Sequence, residues 1–142
     1  MTYEEIMQME PLKLQVWLES EFSAEIPPDL SEVTALREAE RLLSRFGTQL
    51  SYLGYLQGFA KIYVRETRRA VKAGCLPKSA EEDAVDRKNS VDQAAESVKA
   101  LKEAVSRMVT VRQAIAEEEN ASGAAEYRIR LPETPGAHAG IR

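Results

Sequence analysis

The feature that most constrains the fold is a stretch from Ser31 to Ala73 that contains no proline. Its apolar residues alternate three and four positions apart, which places them on one face of a continuous helix. At 1.5 Å per residue, that helix would be about 65 Å long, much longer than a typical globular helix. It therefore needs a partner along its apolar face, whose seam residues are Leu36, Ala39, Leu43, Phe46, Leu50, Leu53, Gln57, Ala60, Val64, Thr67 and Val71.

A second long helix is predicted to be that partner. Gly74 suits a helix C-terminus, Pro77 blocks continuation, and Ser79 followed by Glu82 has the spacing of a capping box. A short turn makes consecutive helices antiparallel neighbours. The sequence therefore predicts an all-α, coiled-coil-like helical hairpin with arms 31–73 and 79–119; the returning seam comprises Val91, Ala94, Val98, Leu101, Val105, Met108, Arg112 and Ile115.

Short helices are predicted before the hairpin, within residues 1–26, where they would pack on it. Thr2 and Glu5 form a second capping-box pattern, and Pro11 suits the first position of another helix. Pro27 and Pro28 then break the chain. Asp29 or Ser31 is the expected N-cap of the first long arm.

The C-terminal region is predicted to lose regular structure. Asn120, Ser122 and Gly123 indicate a helix end, which gives one helical domain over 1–123 and a flexible tail over 124–142. An alternative for one part of the tail is a single strand over 127–131 that adds to a partner's sheet edge, because apolar and basic residues alternate there.

Composition agrees with one helical domain in a reducing compartment. The chain has 142 residues, 30% of them charged and 6% aromatic, and one cysteine, Cys75. The N-terminus carries acidic residues where a signal peptide has basic ones, and no apolar run approaches the roughly 20 residues of a membrane span. We expect a cytoplasmic protein that does not enter membranes.

No pattern of a catalytic, cofactor or metal site is found in the sequence. His138 lies among small residues near the C-terminus, and no base is placed to activate Cys75. The acidic cluster from Glu81 to Asp86 lies at a predicted helix start, where carboxylates favour the helix dipole, and no acidic cluster on the first arm faces it. The sequence therefore predicts a non-enzyme without cofactor or metal.

Charge is distributed unevenly along the chain. From Met1 to Glu40 there are ten acidic and two basic residues, net −8, whereas 61–78 holds six basic residues and one acidic residue, net +5. The basic residues recur at helical spacing, and Arg87 and Lys88 of the returning arm would extend them. Three interpretations stay open: a solvated face partly neutralised by the acidic cluster, a phosphate-binding face, or a contact with an acidic protein surface or a second copy. The basic stripe comprises Lys61, Arg65, Arg68, Arg69 and Lys72.

Aromatic residues form a further stripe on the first arm, with two glycines that indicate close approach of another helix. That helix would be the one containing Trp17 or one from a second copy, and a local bend is the alternative. We predict self-association, as a homodimer, through Tyr52, Gly54, Tyr55, Gly58, Phe59 and Tyr63.

The segment from Asp86 to Arg112 resembles the second arm of small helical proteins encoded by phages and prophages. That resemblance implies a bacterial setting and two roles: inhibition of a host defence protein, or accessory binding in DNA recombination or replication. The sequence thus leads to two hypotheses: a self-associating hairpin that binds a protein, and a nucleic-acid-binding protein that uses its basic stripe.

Overall fold

Four α-helices form the computed structural model, which describes residues 1–130, with side chains to residue 122. They are α1 (Tyr3–Gln8), α2 (Pro11–Glu21), α3 (Val33–Lys72) and α4 (Lys78–Arg130). Helices α3 and α4 pack against each other along the length of α3, α2 packs on α4, and α1 packs on α3. The predicted all-α hairpin with short N-terminal helices on it is confirmed.

The core lies along the seam between α3 and α4 and continues beneath the short helices. Along most of the predicted seam, every second residue is buried and the residues between them are partly buried. Ile6 and Met7 of α1 and Leu14 and Leu18 of α2 close the core on one side. The largest buried seam residues are Phe46, Leu53, Leu56, Val91, Val98 and Val105.

The turn between the long helices is fixed by backbone hydrogen bonds around Gly74. The Cys75 N–H donates to the Ala70 carbonyl at 2.9 Å, and the Gly74 N–H donates to the Val71 carbonyl at 3.1 Å. This is a Schellman motif, which needs a left-handed residue, and Gly74 has φ 76°. The sequence therefore identified this helix end correctly.

Two predicted details near helix ends are wrong. Neither Asp29 nor Ser31 caps α3: the Asp29 carboxylate accepts from the Ser31 N–H at 3.0 Å and from the Ser31 hydroxyl at 2.6 Å, and Glu32 is the N-cap. Helix α4 continues past Asn120 and Gly123 to Arg130, so a strand at 127–130 is excluded. Alanine, glutamate and arginine favour helix strongly enough to outweigh one glycine, which costs about 1 kcal/mol. The rest of the predicted tail, 131–142, lies outside the described residues.

No helix within residues 1–130 is long and apolar enough to cross a membrane.

Candidate functional site

The hairpin has one side covered by the short helices and one side left open. On the covered side, Tyr3 stacks on Phe59 with ring centroids 4.6 Å apart and contacts Tyr52 at 5.8 Å. Phe22 contacts the Tyr52 ring at 6.1 Å, and Trp17 meets Phe22 edge-on at 6.3 Å. Tyr52 and Phe59 of the aromatic stripe are thus covered within one chain, and the resulting burial raises the pKa of the Tyr52 hydroxyl.

The six residues predicted for self-association do not share one surface. Tyr52, Phe59 and Tyr63 are partly buried on the covered side, whereas Gly54, Tyr55 and Gly58 are exposed, and the exposed fraction of Tyr55 is 65%. The prediction of a single stripe is wrong in this respect. At 100° per residue, Gly58 and Phe59 point in different directions although they are neighbours in the chain.

The exposed glycines are not explained by packing within the described residues. A Cβ atom added at Gly54 or Gly58 would have no neighbouring atom within 4 Å. Each glycine inside a helix costs about 1 kcal/mol relative to alanine. Within the described residues, no packing contact offsets this cost.

The open side carries a recess whose lining is almost entirely cationic, here called the basic recess. Helix α3 contributes the five predicted cations, which lie at successive turns near the tip of the hairpin, and α4 contributes one more. The lining residues are Lys61, Val64, Arg65, Arg68, Arg69, Lys72 and Lys88. The structure therefore brings together all five residues of the predicted basic stripe and also Lys88.

Arg87 does not extend this recess. Its Nε donates a hydrogen bond to the Met9 carbonyl at 2.6 Å, on the covered side of the hairpin. It also lines a separate hollow with Asp83 and Tyr63. Arg87 ties α4 to the end of α1, and the prediction that it joins the basic face is wrong.

The acidic cluster neutralises only part of the basic recess. Glu81 lies 3.7 Å from the Arg68 Nε and 2.7 Å from the Lys78 Nζ. The hydrogen bond from Lys78 and the charges of Arg68 and Lys72 lower the pKa of the Glu81 carboxyl despite slight desolvation. Within residues 1–122, no carboxylate lies within 4 Å of the charged groups of Lys61, Arg65, Arg69 and Lys72.

A polar bridge joins the two helices beside the recess. The Asp92 carboxylate accepts hydrogen bonds from the Gln57 Nε2 at 3.0 Å and the Lys88 Nζ at 2.8 Å. Burial is the largest influence on the Asp92 carboxyl and raises its pKa, but these hydrogen bonds and the charges of Lys88 and Lys61 together hold the pKa below its ordinary value. The bridge fixes the orientation of Lys88 and sets the local alignment of the two helices.

Positive charge continues along the same side of α4. Lys99 and Lys102 line a second, shallow recess with Leu50, Glu103 and Ser106. Lys88 and Lys99 are 11 positions apart, which is three helical turns, so they share a face. Sequence reasoning missed these two lysines because it considered only the cluster near the tip; the 11-residue spacing from Lys88 was the available signal.

Within residues 1–122, no group of His, Cys, Asp and Glu side chains is arranged to hold a metal ion. Cys75 is exposed at the turn. His138 lies outside the described residues.

No protein-family model matches this chain, and neither a curated protein nor a solved structure is significantly similar to it.

Proposed function

We propose that the protein is a non-catalytic nucleic-acid-binding protein that holds the phosphate backbone along the open side of the hairpin. One observation carries the proposal: a straight row of cations lies on a face that residues 1–122 leave uncovered, and most of these cations have no carboxylate partner among the described side chains. The phage resemblance agrees with this role through its DNA-metabolism alternative.

The length of the row favours a linear polyanion. Gln57 and Asp92 are level with each other across the hairpin, so Lys102 is level with Gly47 on α3. Along α3, the distance from Gly47 to Lys72 is 25 residues, or about 37 Å. A row of this length offers cations to several consecutive phosphates, and two rigid helices hold it straight.

Like-charged side chains at adjacent turns also repel one another. Each such pair costs a few tenths of a kcal/mol in a helix, and a bound polyanion removes that cost. If the face were only solvated and bound no ligand, nothing would offset the repulsion between these cations. The sequence-based alternative of partial neutralisation applies to Arg68, which is near Glu81, and to Lys88, which is near Asp92.

The test compares two double charge reversals on the same helix. Arg68→Glu with Arg69→Glu changes the basic recess, while Arg37→Glu with Arg41→Glu makes the same change of net charge at two exposed sites outside it. Binding of a fluorescent single-stranded oligonucleotide is followed by anisotropy at low salt. We expect the recess variant to bind at least about tenfold more weakly, equivalent to about 1.4 kcal/mol, and the control to bind much nearer to wild type.

Helicity measured by circular dichroism checks that both variants remain folded. The Arg68 side chain is 57% exposed and lies 3.7 Å from Glu81, so this pair contributes little to stability and reversal of Arg68 should leave the fold intact. Equal binding by the recess variant and wild type would refute the site. Equal losses of affinity in both variants would show that net charge alone causes the effect.

A protein partner is the second candidate, supported by a different surface. An apolar hollow lies between the loop at Leu30 and α4, where Met108, Val111 and Ile115 line it. Val111 is 58% exposed and Ile115 is 43% exposed. A partner docked here, such as a host defence protein in the phage-type hypothesis, would bind with little dependence on salt. The substitution Val111→Glu should abolish that binding and leave oligonucleotide binding unchanged.

A further inference from the structure

One face of α3 carries a row of eight residues spaced alternately four and three positions apart. We call this the glycine row, because three of its four central positions are glycine. The spacing is that of a left-handed coiled coil with 3.5 residues per turn. The row comprises Glu40, Ser44, Gly47, Ser51, Gly54, Gly58, Lys61 and Arg65.

The centre of the glycine row faces away from every described element of the chain, and its last two residues, Lys61 and Arg65, line the basic recess with Lys88 of α4. Seven of its residues are exposed and Gly47 is half-buried. A Cβ atom added at any of its three glycines would meet no atom within 4 Å. Two large apolar side chains stand exposed beside it, Tyr55 at 65% and Ile62 at 45%. This face of α3 is therefore narrow, consists of small residues at its centre, and has exposed apolar residues along one edge.

We propose that the glycine row packs against the same row of a second copy, with the two α3 helices antiparallel. A two-fold axis between Ser51 and Gly54 brings the row onto itself. Gly47 then meets Gly58, and Ser51 meets Gly54 of the other copy. Glycine and serine allow the two backbones to approach closely, so that weak Cα–H···O contacts form along the centre.

The charges at the ends of the row select the antiparallel orientation. In that orientation Glu40 of each copy lies opposite Arg65 of the other, and Ser44 lies opposite Lys61. Parallel, in-register packing would instead place Glu40 against Glu40 and Arg65 against Arg65, and like charges across an interface disfavour it. Over these eight positions the row is self-complementary only in the antiparallel direction, as a closed two-fold dimer requires, whereas the next positions, Arg37 and Arg68, meet like charges in either direction.

The edges of the row support the same axis. In an antiparallel pair, equivalent edges of the two helices meet. Tyr55 of one copy therefore lies near Tyr55 of the other on one edge, and Leu50 lies near Leu50 on the opposite edge. Leu50 is only partly buried within one chain, so both edges have apolar surface to bury.

The dimer forms without nucleic acid, but it uses Lys61 and Arg65, which also line the basic recess, so it constrains the geometry of nucleic-acid binding. Arg68 and Lys72 continue the spacing of the row beyond Arg65, and Lys88 completes the recess from α4. The two basic recesses then lie toward opposite ends of the dimer, about 45 Å apart along the paired helices. A dimer would therefore present two phosphate-binding sites, one on each copy.

Sedimentation equilibrium of the full chain, without nucleic acid, tests the proposal. We expect wild type to have the mass of a dimer, Glu40→Arg to dissociate at least tenfold more readily, and Glu40→Arg with Arg65→Glu to recover most of that loss. The double variant restores the opposite charges across the axis, whereas parallel packing would give no recovery. A monomeric wild type at high concentration, or a double variant no tighter than Glu40→Arg, would overturn the proposal.

A second variant tests the centre of the row. Gly58→Leu should yield a monomer with unchanged helicity, since leucine favours helix but blocks close approach. Ala100→Leu, on an exposed side of α4, is the matched control and should remain dimeric. A Gly58→Leu dimer as tight as wild type would also overturn the proposal. Because no nucleic acid is present, either failure leaves the nucleic-acid proposal to its own test.

Discussion

Removing the ring of Tyr3 should destabilise the protein by about 3 kcal/mol. This half-buried ring stacks on Phe59 at 4.6 Å and contacts Tyr52 at 5.8 Å. The loss of about 100 Å² of apolar burial accounts for roughly 2.5 kcal/mol at about 25 cal/mol per Å², and the lost aromatic contacts account for at least about 0.5 kcal/mol more. Tyr3→Ala should therefore lower the free energy of unfolding by this sum.

Urea denaturation followed by circular dichroism measures the change. Tyr3→Phe is the matched control, because it keeps the ring and should lie within about 0.5 kcal/mol of wild type. If Tyr3→Ala also lay within about 0.5 kcal/mol of wild type, α1 would not be the element that covers the aromatic stripe. The stripe would then again be available for contact with a second copy.

Three further predictions concern single residues. The Gln49 Oε1 atom is buried without a hydrogen-bond partner within residues 1–122, so Gln49→Met should raise the free energy of unfolding by about 1 kcal/mol; a loss would show that the oxygen is satisfied. Gly74 has φ 76°, so Gly74→Ala should lower that free energy by about 1 kcal/mol in urea denaturation, and an unchanged value would contradict the left-handed turn. The Asp92 carboxyl has a lowered pKa in the folded state, so its stabilising contribution is present above its unfolded pKa of about 3.9 and is lost as pH falls through the folded value. Asp92→Asn should therefore reduce the fall in stability between about pH 5 and pH 2, and parallel pH profiles would contradict this.

The hairpin could be predicted from sequence because its determinants are local. The seam spacing and the Gly74 turn each specify one arm or one helix end, and a short connection leaves the two arms antiparallel. A glycine without a following proline and a left-handed turn predicts a helix end less reliably. Gly123 resembled a stop signal, yet it lies inside α4 because the residues around it favour helix.

The basic recess was largely predictable, and its extension was not. Its α3 cations share one helix, so their spacing alone placed them together. Arg87 and Lys88 are adjacent in sequence and differ by 100° around α4. Only the packed structure shows that Arg87 reaches the Met9 carbonyl while Lys88 turns toward the recess.

The covering of the aromatic stripe depends on contacts that are distant in sequence. Tyr3 and Phe59 are 56 positions apart, and no periodicity links them. The same difficulty applies to Gly54 and Gly58, because proximity along the chain does not separate these glycines from the aromatic residues beside them. Once Tyr52 and Phe59 are covered by the short helices, the glycines stand out as a separate face.

The salt dependence of oligonucleotide binding tests the nucleic-acid proposal most directly. If the six cations of the basic recess each neutralise one phosphate of a single strand, the logarithm of the binding constant should fall with the logarithm of salt concentration with a slope of about −4. The Arg68→Glu, Arg69→Glu variant should have a slope shallower by at least about 1.4 if it binds at all. A wild-type slope of about −4 supports phosphate binding along the open side, whereas no binding at low salt, or a slope near zero, would contradict it.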